Sequence, residues 1–107
     1  MIPKQGRFPL RSHQDVFRKS TRVSGVALDV FLSPAPENHS QASVVVGKNV
    51  SLKATVRNHV KRVLGEILRL DILPSSTRII IVRAKQNSKN TSYAKLKEEL
   101  THLVTKN

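Results

Sequence analysis

Residues 42–83 carry two β-branched runs on either side of one amphipathic stripe, and that order leaves the chain few ways to fold. The runs ASVVV (42–46) and RIIIVR (78–83) have the content of buried strands, the first covered on both faces or nearly so and the second central with basic ends. Between them Leu52, Val56, Val60, Val63, Leu64 and Ile67 recur every three or four residues, the spacing of one helix face. Ser51 is the expected N-cap, and the helix is expected to end near Leu70. If its strands are parallel, this unit is a crossover that lays its helix across one face of a sheet.

The flanking segments extend the pattern. Residues 1–11 hold two prolines and a glycine among basic residues and read as a flexible basic arm. From Ser12, SHQDVFRKS is expected to form a short helix with Val16 and Phe17 inward. Between residues 23 and 32, Val26, Leu28 and Val30 alternate with Ala27, Asp29 and Phe31, the period of a strand with two different faces, and residues 21–23 can pair beside it. SPAPENHSQ and KQNSKNTS are loops. Thr91 or Ser92 can cap a last helix that turns Tyr93, Leu96, Leu100, Leu103 and Val104 inward. The expected architecture is a single α+β domain over residues 1–107, with a sheet and helices packed on one of its faces.

Charge narrows the function. Nineteen Lys and Arg against seven Asp and Glu give a formal net charge of +12, which repels itself on a small domain unless a polyanion neutralises it. Nucleic acid fits, because each neutralised phosphate releases counterions. An anionic membrane is the rival partner; the first twenty residues contain no apolar run long enough for a signal peptide or a span, so a cytoplasmic protein with no membrane partner is expected. The absence of cysteine excludes disulfides, thiolate metal sites and cysteine nucleophiles. His13, His39, His59 and His102 form no pair at ligand spacing, and the carboxylates form no acid and base pair, so no autonomous active site is expected.

The basic constellation is better formed. At about 100° per residue, Arg57, Asn58, Lys61, Arg62 and Arg69 lie opposite the apolar stripe of the central helix, and Lys48 and Lys53 extend the patch past its start. Arg57 and Lys61, like Asn58 and Arg62, stand four residues apart along the same face, and the first pair stacks like charges. The bland reading is a solvated helix surface. The functional reading is a grip on RNA phosphates, for which the planar fork of arginine is well shaped. Phe17 and Phe31 are candidates for base stacking, with burial in the core as the alternative; Phe31 is favoured because it lies on the strand face away from Leu28 and Val30.

The segment VVGKNVSLKATVRNHVKRVLGE (45–66) resembles the signature of the bacterial ribonuclease P protein subunit family, VSKKVxKKAxxRNRxKRxxRE. The similarity extends in weaker form along the chain, through MIPKQGR, DVF and RIIIVR. The resemblance implies a two-layer α/β sandwich of order αβββαβα with a left-handed βαβ crossover. It also implies a catalytic RNA partner that binds Mg2+ and performs the hydrolysis, and a protein that binds the RNA and the 5′ leader of precursor tRNA without holding a metal tightly itself. The surface holding Arg57, Asn58, Lys61 and Arg62 would face the catalytic RNA, and Phe17, Arg22 and Phe31 would line the leader cleft. Five positions depart from the pattern: Gly47, Asn49, Leu52, His59 and Gly65, the last two standing where arginines are usual. A small basic ribosomal or other structural-RNA-binding protein is the alternative function.

Overall fold

The computed structural model describes residues 20–34, 40–73 and 78–105. The expected arm, first helix and Phe17 lie outside the described residues. Four strands, β1 (Thr21–Ser24), β2 (Leu28–Pro34), β3 (Gln41–Val45) and β4 (Arg78–Ala84), form one sheet in the order β1-β2-β4-β3. β1 with β2 and β2 with β4 are antiparallel, whereas β3 and β4 are parallel and joined through α1 (Ala54–Ile67). The parallel crossover expected from residues 42–83 is therefore present. A one-turn π-helix (Leu68–Ile72) continues α1, a 3-10 helix spans Gln86–Asn90, and α2 (Tyr93–Thr105) closes the described chain.

Period-two alternation sorts the strands into two faces. Leu28, Val30 and Leu32 of β2, with Ile80, Val82 and Ala84 of β4, point toward one core. Onto them α1 brings Val60, Leu64 and Ile67, and α2 brings Leu96, Leu100, Leu103 and Val104. Ser92 caps α2, its hydroxyl accepting the Lys95 N–H at 3.4 Å. Phe31, Ile79 and Ile81 are also buried, but on the opposite face and outside that cluster.

Several expectations need correction. Residues 23–32 are not one strand: the chain turns between β1 and β2, leaving Val26 77% exposed at the turn. Residues 42–46 are not buried on both faces, because β3 is an edge strand with only Ala42 fully covered. Ser51 does not cap α1. The helix starts three residues later with Lys53 at the N-cap and no side-chain cap, while the Ser51 hydroxyl accepts the Lys53 N–H at 3.1 Å. Leu52 consequently precedes the helix and is exposed rather than part of its stripe; Val50, fully buried, anchors this turn instead. Tyr93, at the first turn of α2, is exposed as well.

The β1–β2 turn is held from the other layer. Glu99 of α2 accepts the Ala27 N–H with both carboxylate oxygens, at 3.1 and 3.0 Å, and the Gly25 N–H donates to the Leu28 carbonyl at 2.7 Å. A Cβ on Gly25 would sit 2.8 Å from Glu99 Oε2 and 2.9 Å from Leu103 Cδ1. Gly25→Ala is therefore expected to cost about 1–3 kcal/mol in urea unfolding, as overpacked sites do. Gly47→Ala, whose Cβ would meet only the amide tip of the exposed Asn49 side chain, should stay within about 0.5 kcal/mol of the parent. Equal stability of the two variants would contradict this packing.

Candidate nucleic-acid interface

α1 exposes one side to solvent, and the charges there run against what an isolated helix prefers. Acidic groups stabilise the positive N-terminal end of a helix dipole and basic groups the C-terminal end. Here the first turn has no acid, the last turn has no base, and Lys48 and Lys53 sit at the N-terminal end. Asn58, His59, Lys61 and Arg62 follow on the exposed side. Among the described residues, Lys48, Lys53, Lys61 and Arg62 have no carboxylate partner. Such a surface gains free energy when an anion arrives.

Two expected members of this patch are otherwise engaged. Arg57 donates through Nη1 to the carbonyls of Ser51 and Leu52, each at 3.0 Å, which fastens the turn leading into the helix and leaves the rest of the guanidinium available. Arg69 lies in the π-helix and pairs with Glu66 at 2.9 Å, a bond that lowers the Glu66 carboxyl from its ordinary value. Its charge is thus matched locally, and Arg69 does not join the uncompensated cations. Of the departures from the signature, His59 is exposed within the cationic side, but Gly65 is buried and so lies off it. Gly47 and Asn49 share one space, since a Cβ at 47 would meet Asn49 Oδ1 at 2.8 Å.

A second cationic cluster lies across the sheet. The register puts Arg22 beside Phe31 and Phe31 beside Ile81, with Ser24, Asp29 and Arg83 in the adjacent row. Arg22 and Phe31 are thereby register partners on neighbouring strands. Phe31, however, is only 7% exposed, and the Arg83 guanidinium stands 5.2 Å from its ring centroid. That is cation–π distance. The surface offered to a base or phosphate is therefore the guanidinium rather than the phenyl ring.

Asp29 is the centre of this cluster and was read in the sequence only as one term of an alternation. Ser24 donates to its carboxylate at 2.7 Å, Arg83 at 3.0 Å and Arg22 at 3.3 Å, with Lys85 Nζ 3.6 Å away. Burial pushes the carboxyl up, but the Ser24 and Arg83 hydrogen bonds and the charges of Lys85 and Arg22 outweigh it, holding Asp29 below its ordinary value and ionised at neutral pH. Arg83 was legible only as a basic strand end, and Lys85 only as a loop residue. The signal that could have singled them out is cross-strand register, which a single sequence does not display.

The described carboxylates suit protein packing better than metal binding. Asp29 is surrounded by cations, Glu66 pairs with Arg69, Asp71 with Lys97 at 3.6 Å, and Glu99 holds the hairpin turn. No group of three or more potential metal ligands occurs among the described residues. Nor is any described helix long and apolar enough to cross a membrane.

Comparison with known proteins agrees with this geometry. The family model for ribonuclease P matches residues 9–107. A Pseudanabaena ribonuclease P protein component is 31% identical, covering 99% of this chain and 94% of its own, and one from Picosynechococcus is 27% identical, covering 96% and 90%. The ribonuclease P protein of Thermotoga maritima superposes with a TM-score of 0.83 at 21% identity, covering 94% of this chain and 96% of its own, so the fold is shared. That of Staphylococcus aureus gives 0.81 at 23% identity, covering 95% and 94%. The chain therefore belongs to the ribonuclease P protein family, the protein component of a ribonucleoprotein endoribonuclease that processes tRNA.

Proposed function

We propose that the two cationic surfaces divide the work of this subunit: the exposed side of α1 docks on the catalytic RNA, and the Arg22, Asp29 and Arg83 side of the sheet takes the 5′ leader of precursor tRNA. The observation that carries this reading is the uncompensated charge of α1, placed where it does not help the helix itself. Lys48, Lys53, Lys61 and Arg62 supply cations for the RNA backbone, while Asn58 can bond a sugar or phosphate oxygen. Arg57 contributes its remaining donors and keeps the turn before the helix in place.

Across the sheet, Arg22 and Arg83 present guanidinium groups on either side of Phe31, a combination suited to single-stranded RNA because it offers both charge and a planar stacking surface. Hydrolysis belongs to the RNA partner and the Mg2+ it binds; the protein's own residues bind and orient, and no step passes through a metal held by these side chains. The substrate and the RNA partner make the cytoplasm the site of action. A ribosomal anchor would need only the α1 surface and leaves the second cluster without a role, and the family match disfavours it further.

Two outcomes follow. The purified protein, added to a bacterial ribonuclease P RNA, should lower the Mg2+ concentration needed to cleave leader-bearing precursor tRNA; no effect over a range of salt would refute the reading. Lys61→Ala with Arg62→Ala should weaken binding to the RNA subunit and reduce the slope of log affinity against log salt by roughly 1.5, two phosphate contacts' worth. An unchanged slope in the folded double variant would return α1 to an ordinary solvated surface.

A further inference from the structure

The Asp29 cluster deepens the proposed leader site and rests on that reading. A carboxylate with a side chain only 4% exposed is costly to bury, and an apolar residue beside Phe31 on this sheet would avoid the cost. What the carboxylate adds is geometry. Its Oδ2 accepts from Arg83 of β4 at 3.0 Å and from Arg22 of β1 at 3.3 Å, so one atom ties together two guanidinium groups from strands on either side of β2. Ser24 fixes the other oxygen at 2.7 Å. Lys85 is held nearby, its ammonium donating to the Ser24 hydroxyl at 3.0 Å and to the Gly25 carbonyl at 2.6 Å.

The two arginines nevertheless remain reachable, with side chains 56% and 41% exposed. One bond each to Asp29 leaves further N–H donors on both groups. Three cations around one carboxylate also leave the cluster net positive. An untethered arginine loses rotamer freedom when it grips a phosphate, whereas these have been ordered in advance. We propose that Asp29 is a positioning residue that sets the spacing of Arg22 and Arg83 beside Phe31 for single-stranded RNA crossing this face of the sheet. Its contribution is discrimination rather than attraction, because its own charge opposes RNA.

The test is the holoenzyme reconstituted with the Asp29→Asn protein, comparing affinity for leader-bearing precursor tRNA with affinity for mature tRNA. The ratio should fall by about fivefold, a scale set by loss of preorganisation. The loss should appear in substrate affinity and not in the single-turnover rate at saturation. Binding of the free protein to a homopolymeric RNA should stay the same or tighten, since a negative charge is gone. Lys97→Ala, on α2, should leave the ratio at the parent value. An unchanged or increased ratio for Asp29→Asn would overturn the inference while leaving the leader reading intact. A parent holoenzyme with no leader preference would overturn both. If Asp29→Asn does not fold, Ser24→Ala, which removes only the hydroxyl that steadies the carboxylate, should lower the ratio in the same direction, and no change there would count equally against the proposal.

Discussion

The pairing of β4 with a strand on each side is the constraint on which the rest of the molecule depends. β4 runs antiparallel to β2 and parallel to β3, so a single strand joins the hairpin half of the chain to the crossover half. Its alternate residues then divide the protein in two. Ile80, Val82 and Ala84 seal the core beneath the helices, while Ile79, Ile81 and Arg83 belong to the other face. A slip of one residue would exchange those sets and bury Arg83 in the core. The same alternation in β2 puts Asp29 and Phe31 next to Arg83 and Ile81.

The two sides of the sheet solve opposite electrostatic problems. On α1 the cations are left without partners, and the helix gains nothing from their placement. On the opposite face the cations are gathered by a carboxylate with little contact with water. The first arrangement favours tight, salt-sensitive contact with any dense array of phosphates. The second fixes where individual donors stand. An RNA partner with a folded surface and a substrate with a single-stranded end call for those two properties respectively.

Much of this could be read from residues alone, for identifiable reasons. Residues 42–83 announced a strand, helix and strand because two β-branched runs flank one helical stripe, and the cationic side of α1 followed from the helical wheel. Misreadings gathered where local pattern and tertiary position diverge. Val26 continues the alternation yet sits in a turn tied to Glu99, a residue far along the chain. Leu52 matches the helical spacing but precedes the helix, because Val50 and Arg57 hold the preceding turn outside it. Residues 42–46 look doubly buried, and their place at the sheet edge is a fact of strand order. Arg69 fits the basic sector until Glu66 is seen to neutralise it. Asp29 was the least legible of all, since its importance arises from residues on three strands meeting in register.

The division of surfaces can be tested directly because the chain contains no cysteine of its own. Single cysteines at Ser43, which pairs with Ile81 in the sheet, and at His59, on the exposed side of α1, can each carry a tethered iron chelate that cuts nearby RNA in the assembled holoenzyme with precursor tRNA. Cuts from position 43 should fall in the 5′ leader and cuts from position 59 in the catalytic RNA. Leader cuts from position 59 with none from position 43, or the same cuts from both, would contradict the account.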